Sequence, residues 1–157
     1  MSNLSLFKGA KVIVTGHNGF KGTWLTTWLL EMGAEVTGVS LEVSTEPSHY
    51  VHSELDKLVD SHKIDITDYP EISSLFSEVK PDFVFHLAAQ ALVRESYDNP
   101  LDTWATNTLG TLNIMEALRL LENNCVAIMI TSDKAYDNVE WEWGYRESDA
   151  LGGPDPY

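Results

Sequence analysis

The run Val12-Ile13-Val14-Thr15-Gly16-His17-Asn18-Gly19-Phe20-Lys21-Gly22 constrains this chain more than any other stretch of it. Its β-branched start reads as a buried strand, and a helical period from Phe20 to Met32 follows at once. Glycines at 16, 19 and 22 occupy the junction, and each has a separate task. Gly16 permits the tight turn, Gly19 lets the backbone approach a diphosphate, and Gly22 lets the helix pack close to the strand. An anion there would sit on the helix dipole, held by main-chain N–H groups. A glycine-rich turn that binds nothing has the same local composition, but strand, helix and spacing together favour binding. The candidate contacts to a dinucleotide are Thr15, Gly16, Asn18, Gly19, Phe20, Lys21 and Gly22. Lys21 either adds a cation near the phosphates or stands as a solvated lysine at a helix start. Trp24 and Trp28, four residues apart, are expected on the packed face of the helix.

The rest of the chain repeats this strand-then-helix order, the pattern of βαβ units in an α/β protein with a parallel sheet. Strands are expected at Lys11 to Thr15, Glu35 to Val39, Leu58 to Ile64, Asp82 to Leu87 and Val126 to Thr131. Helices are expected at Phe20 to Met32, Tyr69 to Val79 and Leu101 to Leu121. Gly33 supplies a stop for the first, while Asp68 and Pro70 suit the start of the second. Ser40 to Lys57 has no clear period and reads as a long loop. With 157 residues and 43% apolar content, one sizeable core can form, and nothing marks two independent domains. A parallel sheet that stopped after the fifth strand would be unfinished.

A net charge of −14 disfavours general affinity for nucleic acid or an anionic membrane, because phosphate contacts need clustered Lys and Arg. No apolar stretch reaches the ~18 residues of a membrane span, and Met1-Ser2-Asn3 lacks a secretory pattern. A soluble, cytoplasmic protein is expected. Cys125 has no internal partner, and its apolar neighbours mark it as a small core residue rather than a nucleophile. No metal site is expected. Ser40 falls where a dinucleotide's ribose would be read, with Glu42 two residues on, and no Lys or Arg occurs between Lys21 and Lys57. That charge pattern favours NAD over NADP.

Thr15-Gly16-x-x-Gly19-x-x-Gly22 resembles the signature of the extended short-chain dehydrogenase/reductase family, and further segments fit the same family in order. Asp65-Ile66-Thr67-Asp68 looks like its acidic motif, in which Asp65 and Ile66 contact the adenine. His86-Leu87-Ala88-Ala89-Gln90 is similar to the segment closing the fourth strand, where Leu87, Ala88, Ala89 and Gln90 lie against the dinucleotide, while His86 reads as a core histidine. Asn107, in Thr106-Asn107-x-x-Gly110, matches the family's Asn in the long helix; Asn and Gly in a helix interior call for a local reason. Thr131-Ser132-Asp133-Lys134 closes the fifth strand, where Ser132 matches the catalytic Ser/Thr. The Ser-Asp-Lys reading is similar to the CDP-glucose branch of the family's hexose-nucleotide dehydratases. Glu142-Trp143-Gly144-Tyr145-Arg146-Glu147 onward is similar to that branch too, and Tyr157 falls where the family's Tyr-x-x-x-Lys motif begins.

The resemblance implies a Rossmann-type doubly wound parallel sheet with helices on both faces, truncated here before the last strands and a C-terminal substrate domain. It implies NAD as cofactor, CDP-glucose as substrate and a homo-oligomer, dimer or tetramer, at full length. The implied chemistry oxidises the glucose at carbon 4, removes water across carbons 5 and 6, and returns the hydride at carbon 6. Ser132 and Tyr157 would act on the carbon 4 hydroxyl, Asp133 as acid, and Lys134 as the carbon 5 base. Residues 1–157 alone are expected to turn over little or no substrate. Rival readings are another nucleotide-sugar dehydratase, an epimerase, for which apolar residues would replace Asp133 and Lys134, and a noncatalytic NAD-binding module.

Overall fold

The structure, a computed structural model, describes residues 6–43 and 46–157, and of Asp133 the backbone alone. Five strands form one parallel sheet: β1 Lys11–Thr15, β2 Glu35–Ser40, β3 Asp60–Lys63, β4 Phe83–His86 and β5 Val126–Met129. Their spatial order is β3-β2-β1-β4-β5, so the winding reverses between β1 and β4. A doubly wound sheet opens its ligand crevice at the carboxyl ends of the strands at that reversal.

Burial on both sides explains the continuous apolar reading of β1, in which Val12, Ile13 and Val14 are all fully enclosed. Val12 and Val14 face helix α1 (Phe20–Glu31), packing with Leu29 and Val36. Ile13 faces the other way, into a larger core with Val39, Val84, Ile72, Leu75, Phe76 and Ile114. Those last four lie on α3 (Tyr69–Val79) and α6 (Thr111–Arg119), which pack side by side on that face. Short helices α2 (His49–His52), α4 (Val93–Asp98) and α5 (Pro100–Trp104) complete the chain order.

The expected strands are present; β1 and α3 have the expected bounds, and the other four strands are trimmed or extended by one or two residues at one or both ends. Asp68 caps α3, its carboxylate accepting the Glu71 N–H at 3.3 Å, and Gly33 follows α1 with φ +83°. Three local expectations are corrected. The loop expected from Ser40 to Lys57 contains α2 and a 3₁₀ turn, Leu55–Lys57; residues 44 and 45 of it lie outside the described residues. The long helix is α5 and α6 joined by a π turn at Ala105–Gly110.

The third correction concerns Trp24 and Trp28, which are 59% and 62% exposed rather than packed. Helix α1 instead buries Gly22, Thr23, Thr26 and Leu29, because its first turn runs so near the strand that only small side chains fit beneath it. Trp24 lies outside that stripe, against the His49 ring at 4.7 Å. Cys125 is half-buried beside the larger core, where burial raises its thiol pKa and keeps it inert. On and just past the outer strand, Val126, Ile128 and Ile130 remain 55%, 40% and 47% exposed.

Phe76 is the largest fully buried side chain, and it joins α3 to the core. Phe76→Ala is expected to cost about 3–5 kcal/mol, read as a lowered urea midpoint; an unchanged midpoint would contradict this packing.

Candidate active site

The carboxyl ends of β1 and β4 meet at the winding reversal, with Thr15 and His86 in register. Thr15 organises this point through one hydroxyl. Its oxygen accepts the N–H groups of Leu87 and Ala88, each at 3.1 Å, which leaves its own hydrogen to donate to His86 Nδ1 at 2.7 Å. The other ring nitrogen must then carry the proton, and Nε2 donates to Thr111 Oγ1 at 3.0 Å. Burial lowers the His86 pKa to about 4, consistent with a neutral ring. His86 is thus the core histidine expected, tying β1 and β4 to α6.

Gly16 turns the chain with φ +71°, pressed so near the next segment that a Cβ would stand 2.9 Å from Ala88 N. A Cβ on Gly22 would fall 1.9 Å from Gly16 O, so the helix start and the turn touch backbone to backbone. At Gly19 a Cβ would meet only Gly16 O, at 3.3 Å, and otherwise open space. Among the described residues no side chain caps α1, which leaves its first-turn N–H groups open to that space. A cleft of about 380 Å³ opens alongside, walled by Asn18, Gly19, Phe20 and Thr23 on one side and Pro47, Ser48, His49 and His52 on the other. Phe20 itself is 77% exposed, and Lys21 is exposed as well.

His17, which sequence reasoning passes over, is buried and fixes the end of β2. Its Nδ1 and Nε2 lie 2.9 Å from the hydroxyls of Ser40 and Ser61, and its edge meets Tyr50 at 5.2 Å. Burial lowers its pKa. A Cβ at Gly38 would come within 2.4 Å of the ring, so that glycine inside a strand is the available signal. Asn18 donates to the Leu41 carbonyl at 2.7 Å, tying the glycine turn to the residues after β2.

The adenine-side motif is held from below. Asp65 accepts both the N–H and the hydroxyl of Thr67, each at 2.8 Å, and Ile66 is buried under Gly110, where a Cβ would approach its Cδ1 to 2.6 Å. Asn113, also missed from sequence, donates to the carbonyls of Ile66 and Thr67, both at 3.0 Å. Asn107 clamps the Gln90 main chain by accepting its N–H at 2.8 Å and donating to its carbonyl at 3.1 Å. Both odd helix residues, Asn107 and Gly110, lie in the π turn, a feature frequent at functional sites. Ala89 is exposed beside them.

Beyond β5, the Ile130 N–H still pairs with the His86 carbonyl at 3.0 Å, which sets residues 131–134 just past the carboxyl edge of the sheet. Thr131 and Lys134 are exposed and Ser132 is half-buried; the Lys134 N–H donates to Ser132 Oγ at 3.1 Å. The Asp133 side chain lies outside the described structure. Tyr157 is half-buried, its N–H bonded to Asp155 Oδ1 at 3.1 Å. Thr15, Gly16, Asn18, Leu87, Ala88 and Gln90 are therefore tied to neighbouring elements, whereas the bonds described for 134 and 157 are local.

Comparison with known proteins decides the family. The family model described as GDP-mannose 4,6 dehydratase matches residues 13–157. The chain belongs to this family. CDP-glucose 4,6-dehydratase of Salmonella typhimurium is 47% identical over 157 residues, covering 100% of this chain and 44% of that protein. The chain therefore spans less than half the length of this relative. Among solved structures, the epimerase Mth375 of Methanothermobacter thermautotrophicus aligns with a TM-score of 0.82 at 28% identity, over 99% of this chain and 45% of that one. The UDP-glucose 4-epimerase of Thermus thermophilus, solved in complex with NAD, aligns with a TM-score of 0.79 at 28% identity, over 94% and 46%. The Rossmann-type fold expected from sequence is thereby shown.

Two predictions test this geometry. Gly22→Ala is expected to weaken dinucleotide binding at least ~100-fold by calorimetry, since a Cβ there strikes backbone 1.9 Å away; Gly19→Ala is expected to be milder. The second concerns pH. His86 has a folded pKa of about 4 against an ordinary value of 6.5, so the unfolded chain takes the proton first as pH falls. Stability from the neutral ring is full above pH 6.5 and is lost toward pH 4, by about 3 kcal/mol in all. His86→Gln should flatten the urea midpoint across this range; an unchanged slope would contradict the assignment.

Proposed function

We propose that the intact protein is an NAD-dependent nucleotide-sugar 4,6-dehydratase that converts CDP-glucose to CDP-4-keto-6-deoxyglucose. The observation that carries this reading is the 47% identity across the whole chain to a CDP-glucose 4,6-dehydratase, together with Ser132-Asp133-Lys134 beyond β5. The open side of Gly19 and the uncapped start of α1 fit a diphosphate, which supports NAD as the cofactor. Bound NAD would supply the acceptor and then the donor of the hydride that the reaction moves from carbon 4 to carbon 6.

The remaining work falls to side chains of this chain. Tyr157 takes the proton of the carbon 4 hydroxyl, and Ser132 hydrogen-bonds the same oxygen. The ketone so formed acidifies the carbon 5 hydrogen, which Lys134 removes. Asp133 protonates the departing carbon 6 hydroxyl, so water leaves across carbons 5 and 6, and Lys134 returns its proton to carbon 5 as carbon 6 is reduced. Because Lys134 is exposed among the described residues, this role for it requires burial against the sugar or another part of the protein.

In this reading residues 1–157 form the NAD-binding domain and the sugar nucleotide binds chiefly to a separate substrate domain. A homo-oligomer is part of the same proposal, supported by exposed apolar residues along α5 and α6, Leu101, Trp104, Leu112 and Met115 among them. Among the described residues no helix is long and apolar enough to cross a membrane, which fits a cytoplasmic enzyme. An epimerase shares the fold, but the polar pair Asp133-Lys134 supports dehydration.

The test is turnover of CDP-, dTDP- and GDP-hexoses by the intact protein, followed as keto-sugar product. CDP-glucose is the expected substrate. Ser132→Ala and Tyr157→Phe should each lower kcat by about 10²–10⁴ while leaving NAD affinity near the wild-type value. Full turnover in both variants would overturn the assignment.

A further inference from the structure

We propose that the ion pair between Glu42 and Lys63 is the device by which this chain selects NAD over NADP. This rests on the reading of the glycine turn as a dinucleotide site. No Lys or Arg lies between Lys21 and Lys57 to meet a 2′-phosphate, but pairing of β2 with β3 brings a cation from farther on. Ser40 and Lys63 are register partners at the last rung of those strands. Lys63 is thus placed at the end of β2, where the adenosine ribose is read in this fold. It is the one lysine or arginine in β2, in β3 and in residues 41–48.

A bare lysine there would invite a phosphate. Lys63 is not bare, because its ammonium is paired with the Glu42 carboxylate. The pairing holds the Glu42 pKa below the ordinary carboxylate value, so the acid stays charged. Glu42 therefore acts twice against NADP, by occupying the cation and by presenting a like charge to the 2′-phosphate. Both groups are largely exposed, at 65% and 77% for Lys63 and Glu42, so the pair contributes little to folding and can be altered without disturbing the core.

Neighbouring bonds leave this task to Glu42. The Ser40 hydroxyl, at the expected ribose position, is buried and engaged by His17 Nδ1 at 2.9 Å. The Asn18 bond to the Leu41 carbonyl, at 2.7 Å, anchors the chain directly before Glu42 to the glycine turn. Glu42 is thus held in step with the diphosphate cradle, and it is the acid nearest in sequence after β2. Lys57, the next lysine back, is paired with Glu54 at 2.9 Å.

The experiment is calorimetric binding of NAD, NADP, ADP and 2′,5′-ADP to the intact protein and to Glu42→Gln, Lys63→Met and the double variant, with circular dichroism confirming the fold. Wild type should bind NAD and ADP in preference to the 2′-phosphorylated partners. Glu42→Gln should tighten NADP and 2′,5′-ADP about tenfold while moving NAD and ADP less than about threefold. Adding Lys63→Met should abolish that gain, which a general charge effect at Glu42 would not do. Equal shifts for both cofactors, a gain that survives loss of Lys63, or wild type that already prefers NADP would each overturn the inference. If wild type binds no dinucleotide at all, it is the reading of the glycine turn that fails. If NAD binds but the preference never moves, the ion pair alone is refuted.

Discussion

The contact between the start of α1 and the turn that precedes it governs the arrangement around it. Backbone meets backbone there, since a Cβ on Gly22 would lie 1.9 Å from Gly16 O. An approach that close admits only small side chains under the first turns of the helix, which is why Thr23 and Thr26 are buried and two tryptophans face outward. It also aims the helix dipole at open space beside Gly19, where an anion would be stabilised without any basic side chain. A protein of net charge −14 can hold a diphosphate on these terms, because the attraction is built from amides rather than from lysines.

The second constraint is the Thr15 hydroxyl, which satisfies two amides and a ring nitrogen at the point where the winding reverses. Backbone N–H groups just past the end of a strand lack ladder partners, and leaving them buried and unpaired would cost about 1–3 kcal/mol each. Thr15 meets that demand for Ala88, while the Leu87 N–H is shared between the Thr15 hydroxyl and the Thr15 main-chain carbonyl, each at 3.1 Å, and His86 passes the chain of hydrogen bonds on to Thr111 in α6. The crevice is thereby fixed from β1, β4 and α6 together. Asn107 and Asn113 extend the same principle, using side-chain amides to hold the loops after β4 and β3 against the long helix.

How much of this is legible in the sequence follows from the range of the interactions. Strand positions, the α3 bounds and the glycine turn are readable, because each depends on residues within one or two turns of one another. The α1 face misleads for a physical reason: a periodicity argument assumes that large apolar residues turn inward, and the close approach at Gly22 forbids it here. Helix α2 is hidden because four residues, His49–His52, carry too little period to register. Its Ser48 cap, whose hydroxyl accepts the Val51 N–H at 3.4 Å, is the faint signal available. Asn107 and Gly110 do announce themselves as costly in a helix interior, and the π turn with its clamp on Gln90 supplies the reason.

Side chains that act across the sheet are the ones least visible. His17 reads as a spacer in the glycine motif until Gly38 and Ser61, on two other strands, are brought against its ring. Lys63 reads as a distant charge until strand register sets it beside the end of β2. In both cases the chemistry resides in a parallel pairing rather than in a motif, and parallel pairing joins segments separated by a whole crossover. Recognition by main-chain amides can therefore be read along the chain, while discrimination between similar ligands, which depends on one or two charges at a strand end, is settled only when the sheet has closed its register.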